Sequence, residues 1–376
     1  MRPPIHGLRP RATATACFAA LVAAASLWGP GCARPRPYEP VRAAELEGRL
    51  RDAVLERIAA GATAREDGWT YAVDVGQLLV YAGRAGDREL YPPLGELARE
   101  LLIQDEADDP YTRGMVAWRG RPDAAPEASG TTEALRVARG LWLGARAFGR
   151  PADRELARAV LAAYARHAAE DQGVWLVRNY FNFGTRAFAT NSFLVDYAPD
   201  FVAEAARDLG SAELEGLAER SYALVSSAGT PAGLLYDLVQ PEVLTLTPAR
   251  GPAGAIFSPN DVVQLSNAAT VAEQCAGGLP GPGRRVLRFA AERPGALRLF
   301  YLGRSGEPVD GSPPAGAETY AVLARLAAAL GERAAVERYG PRVLAAAEDL
   351  AGDPHEPFLY LASELLLALQ ALRAGG

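Results

Sequence analysis

Apolar residues return along most of this chain with the 3.6-residue period of a helix, and the pattern is clearest over residues 131–169. Thr131 or Thr132 stands where an N-cap accepts a backbone N–H, and Glu133 adds negative charge to the first turn. Leu135, Val137, Ala138, Leu141, Trp142, Ala145 and Phe148 then keep the period. Gly149 stops that helix, Pro151 starts another, and Leu156, Val160, Leu161 and Tyr164 mark its apolar face. The first helix is apolar nearly all round and is expected to be buried on most sides. The second turns Arg154, Glu155, Arg158 and Arg166 toward water. An inner helix followed by an outer one is therefore the unit.

The unit recurs. The same signals place helices from about residues 43, 70, 88, 131, 152, 191, 212, 260, 284, 318, 333 and 356, those at 70, 131, 191, 260, 318 and 356 being the more apolar. Long loops precede several inner helices, at 104–130, 231–259 and 295–314. The run LLYDLVQPEVLTLTP leaves room for a short β-hairpin, and 297–302 for a strand. These features predict an all-α fold, an (α/α)6 toroid with its long loops at one end and its first helix packed on its last. An open helical solenoid is the alternative, but its loops would be shorter and its repeats more even.

Residues 1–32 read as a signal peptide: Arg2, Arg9 and Arg11 precede an uncharged, Ala-rich run from Ala12 to Trp28 that is short for a permanent membrane span. Cys32 follows Gly31 as a lipoprotein acceptor cysteine does, although Gly29 and Pro30 depart from the usual preceding residues. Residues 33–42 form a Pro-rich tether and 43–376 one domain. The expectation is an exported protein, periplasmic or held at the outer membrane by lipid on Cys32. Cys17 would leave with the signal, so Cys275 is expected to be a lone buried thiol.

Composition narrows the chemistry. A net charge of −6 with no basic stripe gives no nucleic-acid footprint. No lysine occurs, which excludes Schiff-base chemistry and a P-loop lysine. The histidines, His6, His167 and His355, lie far apart, so no zinc site, other metal or cofactor is expected, and His167 reads as a surface residue of an outer helix. Nothing points beyond a monomer.

In a toroid of parallel inner helices, six N-termini gather at one end beside polar, aromatic loops, the composition a carbohydrate cleft needs. Near them stand Asp67, Trp69, Tyr71, Asp74, Glu133, Asn191, Asn260, Asp261, Glu318 and Glu356. Capping explains any one of these polar residues alone. Acids converging from different helices would instead supply the two carboxyls of glycosidic bond hydrolysis. Asp74, set among Val73, Val75 and Leu78, is either on a polar seam or buried with a partner, and burial would raise its pKa as a general acid requires. Asp196 is a similar case.

The chain here resembles the six-hairpin glycosidases, and most of all glycoside hydrolase family 8. DGWTYAVDVGQLLVY is similar to that family's Ser-Glu-Gly-Gln stretch: Gly76 and Gln77 match, the family's catalytic Glu falls on Val75, and its Ser on Asp74. TTEALRVARGLWLGARAFG resembles the next inner helix, and TNSFLVDYAPDF the family's Asn-Pro-Ser-Tyr segment, with Asn191 and Ser192 kept. Unsaturated-uronyl hydrolases share the toroid and similar hairpin turns. The resemblance implies action on a polysaccharide or oligosaccharide. The expected acid/base pair is Asp74 and Glu133, with Asp67 or Asp261 as substitutes. Trp69, Tyr71, Trp118 and Tyr236 are expected to stack on sugars, and Gln77, Asn191, Asn260 and Glu318 to bind them. The alternative is an inactive toroid, kept as a polysaccharide-binding or assembly lipoprotein, which the valine at position 75 favours.

Overall fold

The computed structural model describes residues 40–105, 109–171, 173–240, 249–250, 256–258, 260–293 and 295–375. The signal peptide, Cys32 and most of the tether lie outside these residues, as do residues 241–248 of the expected hairpin run 234–248. Among the described residues twelve helices follow in order: α1 (Pro40–Ala59), α2 (Ala72–Ala85), α3 (Tyr91–Leu97, continued by a π turn at Ala98–Leu102), α4 (Thr131–Phe148), α5 (Pro151–Ala165), α6 (Pro199–Leu209), α7 (Ala212–Ser227), α8 (Leu265–Gln274), α9 (Pro280–Ala291), α10 (Ala317–Ala329), α11 (Arg333–Gly352) and α12 (Phe358–Gly375). The even-numbered helices form a closed ring, α12 returning to α2, in which the short turn at 194–196 joins α4 to α8 and α6 lies against α8, while α1 lies against α11 and α12. This is the expected (α/α)6 toroid, and the ring closure excludes an open solenoid. None of the described helices is long and apolar enough to cross a membrane.

Glycine brings the first two inner helices together. A Cβ on Gly76 would stand 2.9 Å from Arg136 Cβ, and one on Gly140 2.3 Å from Leu79 Cβ. The contact partners rise together along both helices, so α2 and α4 run parallel. Elsewhere the packing follows the apolar stripes: Leu46, Leu50 and Val54 of α1 are buried at four-residue spacing. Gly149, at φ 66°, ends α4 in the left-handed conformation that favours glycine, and Pro151 opens α5.

Two expected inner helices begin later than the pattern implies. Residues 192–198 form a strand and a short 3₁₀ turn, and α6 starts only at Pro199, because Ala198 sits at φ 37°, outside the helical region. Likewise Val262–Gln264 is a strand before α8, paired with Phe300–Leu302 inside the expected 297–302 segment. Among the described residues all strand pairs are short and antiparallel and sit in the loops; Leu238–Gln240 joins Ser192–Phe193 and Ile256–Phe257. Cys275 is buried, and burial pushes its thiol up to about 12. His167 corrects the expectation of a surface residue: it is 3% exposed, its Nδ1 lies 2.9 Å from the Arg178 carbonyl, and burial takes its pKa down to about 4. The α5 helix ends just before it, so the imidazole tucks beneath the following hairpin instead of facing water.

Candidate active site

A belt of polar residues crosses the toroid axis about two turns below the inner-helix N-termini. Arg325 of α10 bonds Glu273 of α8 at 3.0 Å and Glu364 of α12 at 2.5 Å. Gln77 of α2 donates to Glu364 at 2.5 Å and accepts from Ser363 at 2.6 Å. Burial pushes the Glu364 carboxyl up, but Arg325, Arg136 and these hydrogen bonds hold it net below its usual range. Gln77, expected to bind sugar, is instead 4% exposed and used by the protein itself.

Above the belt, carboxyls converge from different elements. Asp74 is 1% exposed and gripped by Arg65, whose Nε and a terminal nitrogen reach it at 2.9 and 2.6 Å. Burial raises its pKa and Arg65 opposes that rise. Both of its oxygens are engaged by one guanidinium, which is the buried-with-partner arrangement. Asp196, just before α6, accepts from Thr132 of α4 and from the Phe193 N–H at 3.3 Å. Burial, opposed by Thr132 and reinforced by the charge of Glu133, pushes Asp196 up to about 7. Asp237 is 6% exposed, bonded by Asn267 at 2.5 Å, and also raised by burial.

Two glutamates differ from these three. Glu133 and Glu318 stand in the first turns of α4 and α10, the second and fifth inner helices and so on opposite sides of the ring. Each is half-buried, and each folds its carboxyl back over a preceding glycine; a Cβ on Gly130 would meet Glu133 Oε2 at 2.0 Å, and one on Gly316 would meet Glu318 Oε2 at 2.3 Å. Burial raises both pKa values, against a bond from each residue's own backbone N–H. At Glu133 the charges of Arg136 and Arg65 also oppose the rise while that of Asp74 adds to it, and at Glu318 the charge of Glu364 adds to it. Neither makes an ion pair among the described residues. A carboxyl raised, half-open and outside any ion pair among the described residues is equipped to hold a proton and hand it over. Tyr360, half-buried on α12, lies within the electrostatic reach of Glu318, Glu364 and Asp74. Sequence reading did not single out Tyr360, and only its place one turn into the last inner helix could have done so.

The remaining expected residues divide into two outlying groups. Asp67 is exposed; burial pushes its carboxyl up, but Tyr71 and the Trp69 N–H bond it and hold it net lowered. Trp69 and Trp118 are half-buried, and the Arg119 guanidinium lies 4.3 Å from each ring. Tyr71 is 7% exposed under the Arg65 guanidinium. These aromatics thus carry arginine on their faces. Tyr236 is 1% exposed, with its hydroxyl 2.5 Å from Asp261, so its ring packs inside the protein and offers no face to a sugar. Asp261 is held at φ 59° beside it, Asn260 is exposed, and Asn191 is half-buried with its carbonyl bonded by the Asn179 N–H. Among the described residues no group of three or more His, Cys, Asp or Glu side chains is arranged to hold a metal ion.

Ring, hairpin order and carboxyl-lined end define an (α/α)6 toroid. Solved structures with this fold agree with it over nearly the whole chain. The β-1,3-1,4-glucanase from Paenibacillus sp. X4 superposes with a TM-score of 0.65 at 14% identity, covering 93% of this chain and 96% of that one. Rex8A from Paenibacillus barcinonensis, solved with xylose, gives 0.62 at 15% identity, covering 89% and 93%. The endoglucanase Cel10 from Klebsiella pneumoniae, a family 8 glycosyl hydrolase, gives 0.58 at 14%, covering 85% and 98%. No family model matches the sequence, and no curated protein does.

Proposed function

We propose that this toroid hydrolyses a polysaccharide bound across the N-terminal ends of its inner helices, with Glu133 as proton donor and Glu318 as the carboxylate that activates water. The observation that carries this is the pair itself: two half-buried glutamates, raised by burial, outside any ion pair among the described residues and placed on opposite sides of the ring. Inverting hydrolysis needs two such carboxyls about 6.5–9.5 Å apart, with room for water between them. The solved neighbours named as glucanases, and the one bound to xylose, make β-glucans and xylan the first substrates to try. The chain from residue 33 onward is to be assayed for reducing-end release. Glu133→Gln and Glu318→Gln are each expected to lower the rate about 10²–10⁴-fold, the usual contribution of a positioned acid or base. Asp74→Asn is expected to act mainly through stability.

One observation favours a second reading. Val75 stands where the resembling family carries its acid, and Asp74 beside it is locked by Arg65. A toroid that binds polysaccharide without cutting it would retain the same polymers in affinity electrophoresis yet release no reducing ends, and that result would replace the hydrolase reading. We further propose that residues 1–31 are removed on export and that lipid on Cys32, then the first residue, holds the protein at the periplasmic or outer-membrane face. Mass spectrometry of the mature N-terminus tests this, and an unmodified Cys32 or an intact signal sequence would refute it.

A further inference from the structure

Below the polar belt the toroid axis is not filled. The C-terminal turns of the inner helices carry Ala328, Ala329, Ala371 and Ala374, and a cavity of about 500 Å³ runs from Gln77 and Arg136 down to Arg84. It opens at the end of the ring remote from the glutamate pair, where Arg84, Ala329 and Ala374 are exposed. Four arginines line it. Arg325 is neutralised by Glu273 and Glu364. Arg84, Arg136 and Arg139 make no hydrogen bond and no ion pair among the described residues. The one other carboxylate of the lining, Asp200, is taken up by the N–H groups of Gly277 and Gly278 and the Tyr222 hydroxyl.

The ordinary use of arginine at a helix C-terminus is to bond the last carbonyls. Arg293 does this with Phe289 at 2.7 Å, whereas Arg84, in the last turn of α2, bonds none. Arg84 and Arg139 are instead gathered in the cavity, while Arg136, at its upper end, also acts on Glu364, Asp74 and Glu133. Burial and the neighbouring charge of Arg139 lower Arg84 to about 10, and burial lowers Arg139 as well. Such a set favours an anion. The volume is that of a small-molecule pocket rather than of a bare ion. Thr270 and Gln274 add neutral hydrogen-bonding groups suited to hydroxyls, and Phe201 an apolar wall.

We propose that this axial cavity is a second binding site, separate from the glutamate cleft, for an acidic sugar carrying a phosphate or a carboxylate. Titration calorimetry on the full chain with glucose 6-phosphate, digalacturonate, inorganic phosphate and glucose tests it. Binding of glucose 6-phosphate or digalacturonate, weakening as salt rises and absent for glucose, is the expected result, and the stronger of the two tells phosphate from carboxylate. Arg139→Gln and Arg84→Gln are each expected to weaken it tenfold or more; Arg84, at the mouth, can be replaced without disturbing the core. Glu133→Gln is expected to leave it unchanged, which separates this site from the proposed hydrolysis. The proposal falls if neither acidic sugar binds, if glucose binds as well as they do, if inorganic phosphate binds as tightly as its sugar ester, or if neither arginine variant changes the affinity.

Discussion

Gly140→Ala tests the closest approach in the ring. The added Cβ would stand 2.3 Å from Leu79 Cβ and 3.0 Å from both the Leu79 carbonyl carbon and the Val80 nitrogen. Non-bonded carbons rest at about 3.5–4.0 Å, so α2 and α4 must part by more than about 1 Å. The obstructing atoms are backbone or backbone-bound, and no rotamer change clears them. Overpacking of this kind costs about 1–3 kcal/mol, and the upper part of that range applies here. Replacing a mid-helix glycine by alanine returns about 1 kcal/mol, which leaves a net loss of about 2 kcal/mol. Gly48→Ala supplies the control, since this residue is exposed on α1 and a Cβ there meets nothing within 4 Å. It is expected to stabilise by about 0.5–1 kcal/mol. Urea midpoints at constant m-value read both. The two substitutions are chemically identical and expected to have opposite signs. If Gly140→Ala leaves the midpoint unchanged or raises it, the glycine contact does not hold α2 and α4 together as described. Because Asp74 and Glu133 ride on these two helices, the same variant is expected to disturb the cleft.

Arg65→Met removes the sole ion-pair partner seen for buried Asp74 among the described residues and is expected to cost about 3–5 kcal/mol. The loss should be greatest at neutral pH and smaller near pH 4, where Asp74 can take a proton; urea unfolding at both pH values checks it. Asp196 keeps its proton up to about pH 7 in the folded chain but releases it near 3.8 when unfolded, so its contribution to stability declines as pH rises between those values. Asp196→Asn is expected to remove that decline, leaving the variant more favoured relative to wild type at pH 7 than at pH 4. His167 has the reverse sign: folded it stays neutral down to about 4, while unfolded it binds a proton below about 6.5, so stability is lost as pH falls through that window. His167→Gln is expected to abolish that loss, and the difference in urea midpoints between pH 4.5 and 7 measures it.

Helix number, order and inner–outer alternation were readable because period, caps and breakers act within a few residues of one another. Gly149 and Pro151 ended and began helices in the structure as they do on paper. The starts of α6 and α8 were misjudged because strand pairing to Leu238–Gln240 and to Phe300–Leu302 overrode local helical pattern. Of the site, the gathering of acids at one end followed from topology, and Asp74 was recognised as a buried or seam carboxylate. Its partner could not be named, since Arg65 lies in a loop and approaches only through the fold. Tyr236 misled for a related reason: a tyrosine in a polar loop looks available, and only the packing against Gly303 and the bond to Asp261 bury it.

The belt across the axis has a consequence for how the chain is made. Gln77 and the Glu364 it bonds are separated by 287 positions, and the Ser363 it accepts from by 286. When α2 leaves the ribosome, a polar side chain destined for the dry centre has no partner, and none is synthesised until the last helix. The early helices can form hairpins, but the ring cannot settle around its axis before α12 has been made. Loss of the last helix would therefore be felt first at the second, on the far side of the sequence.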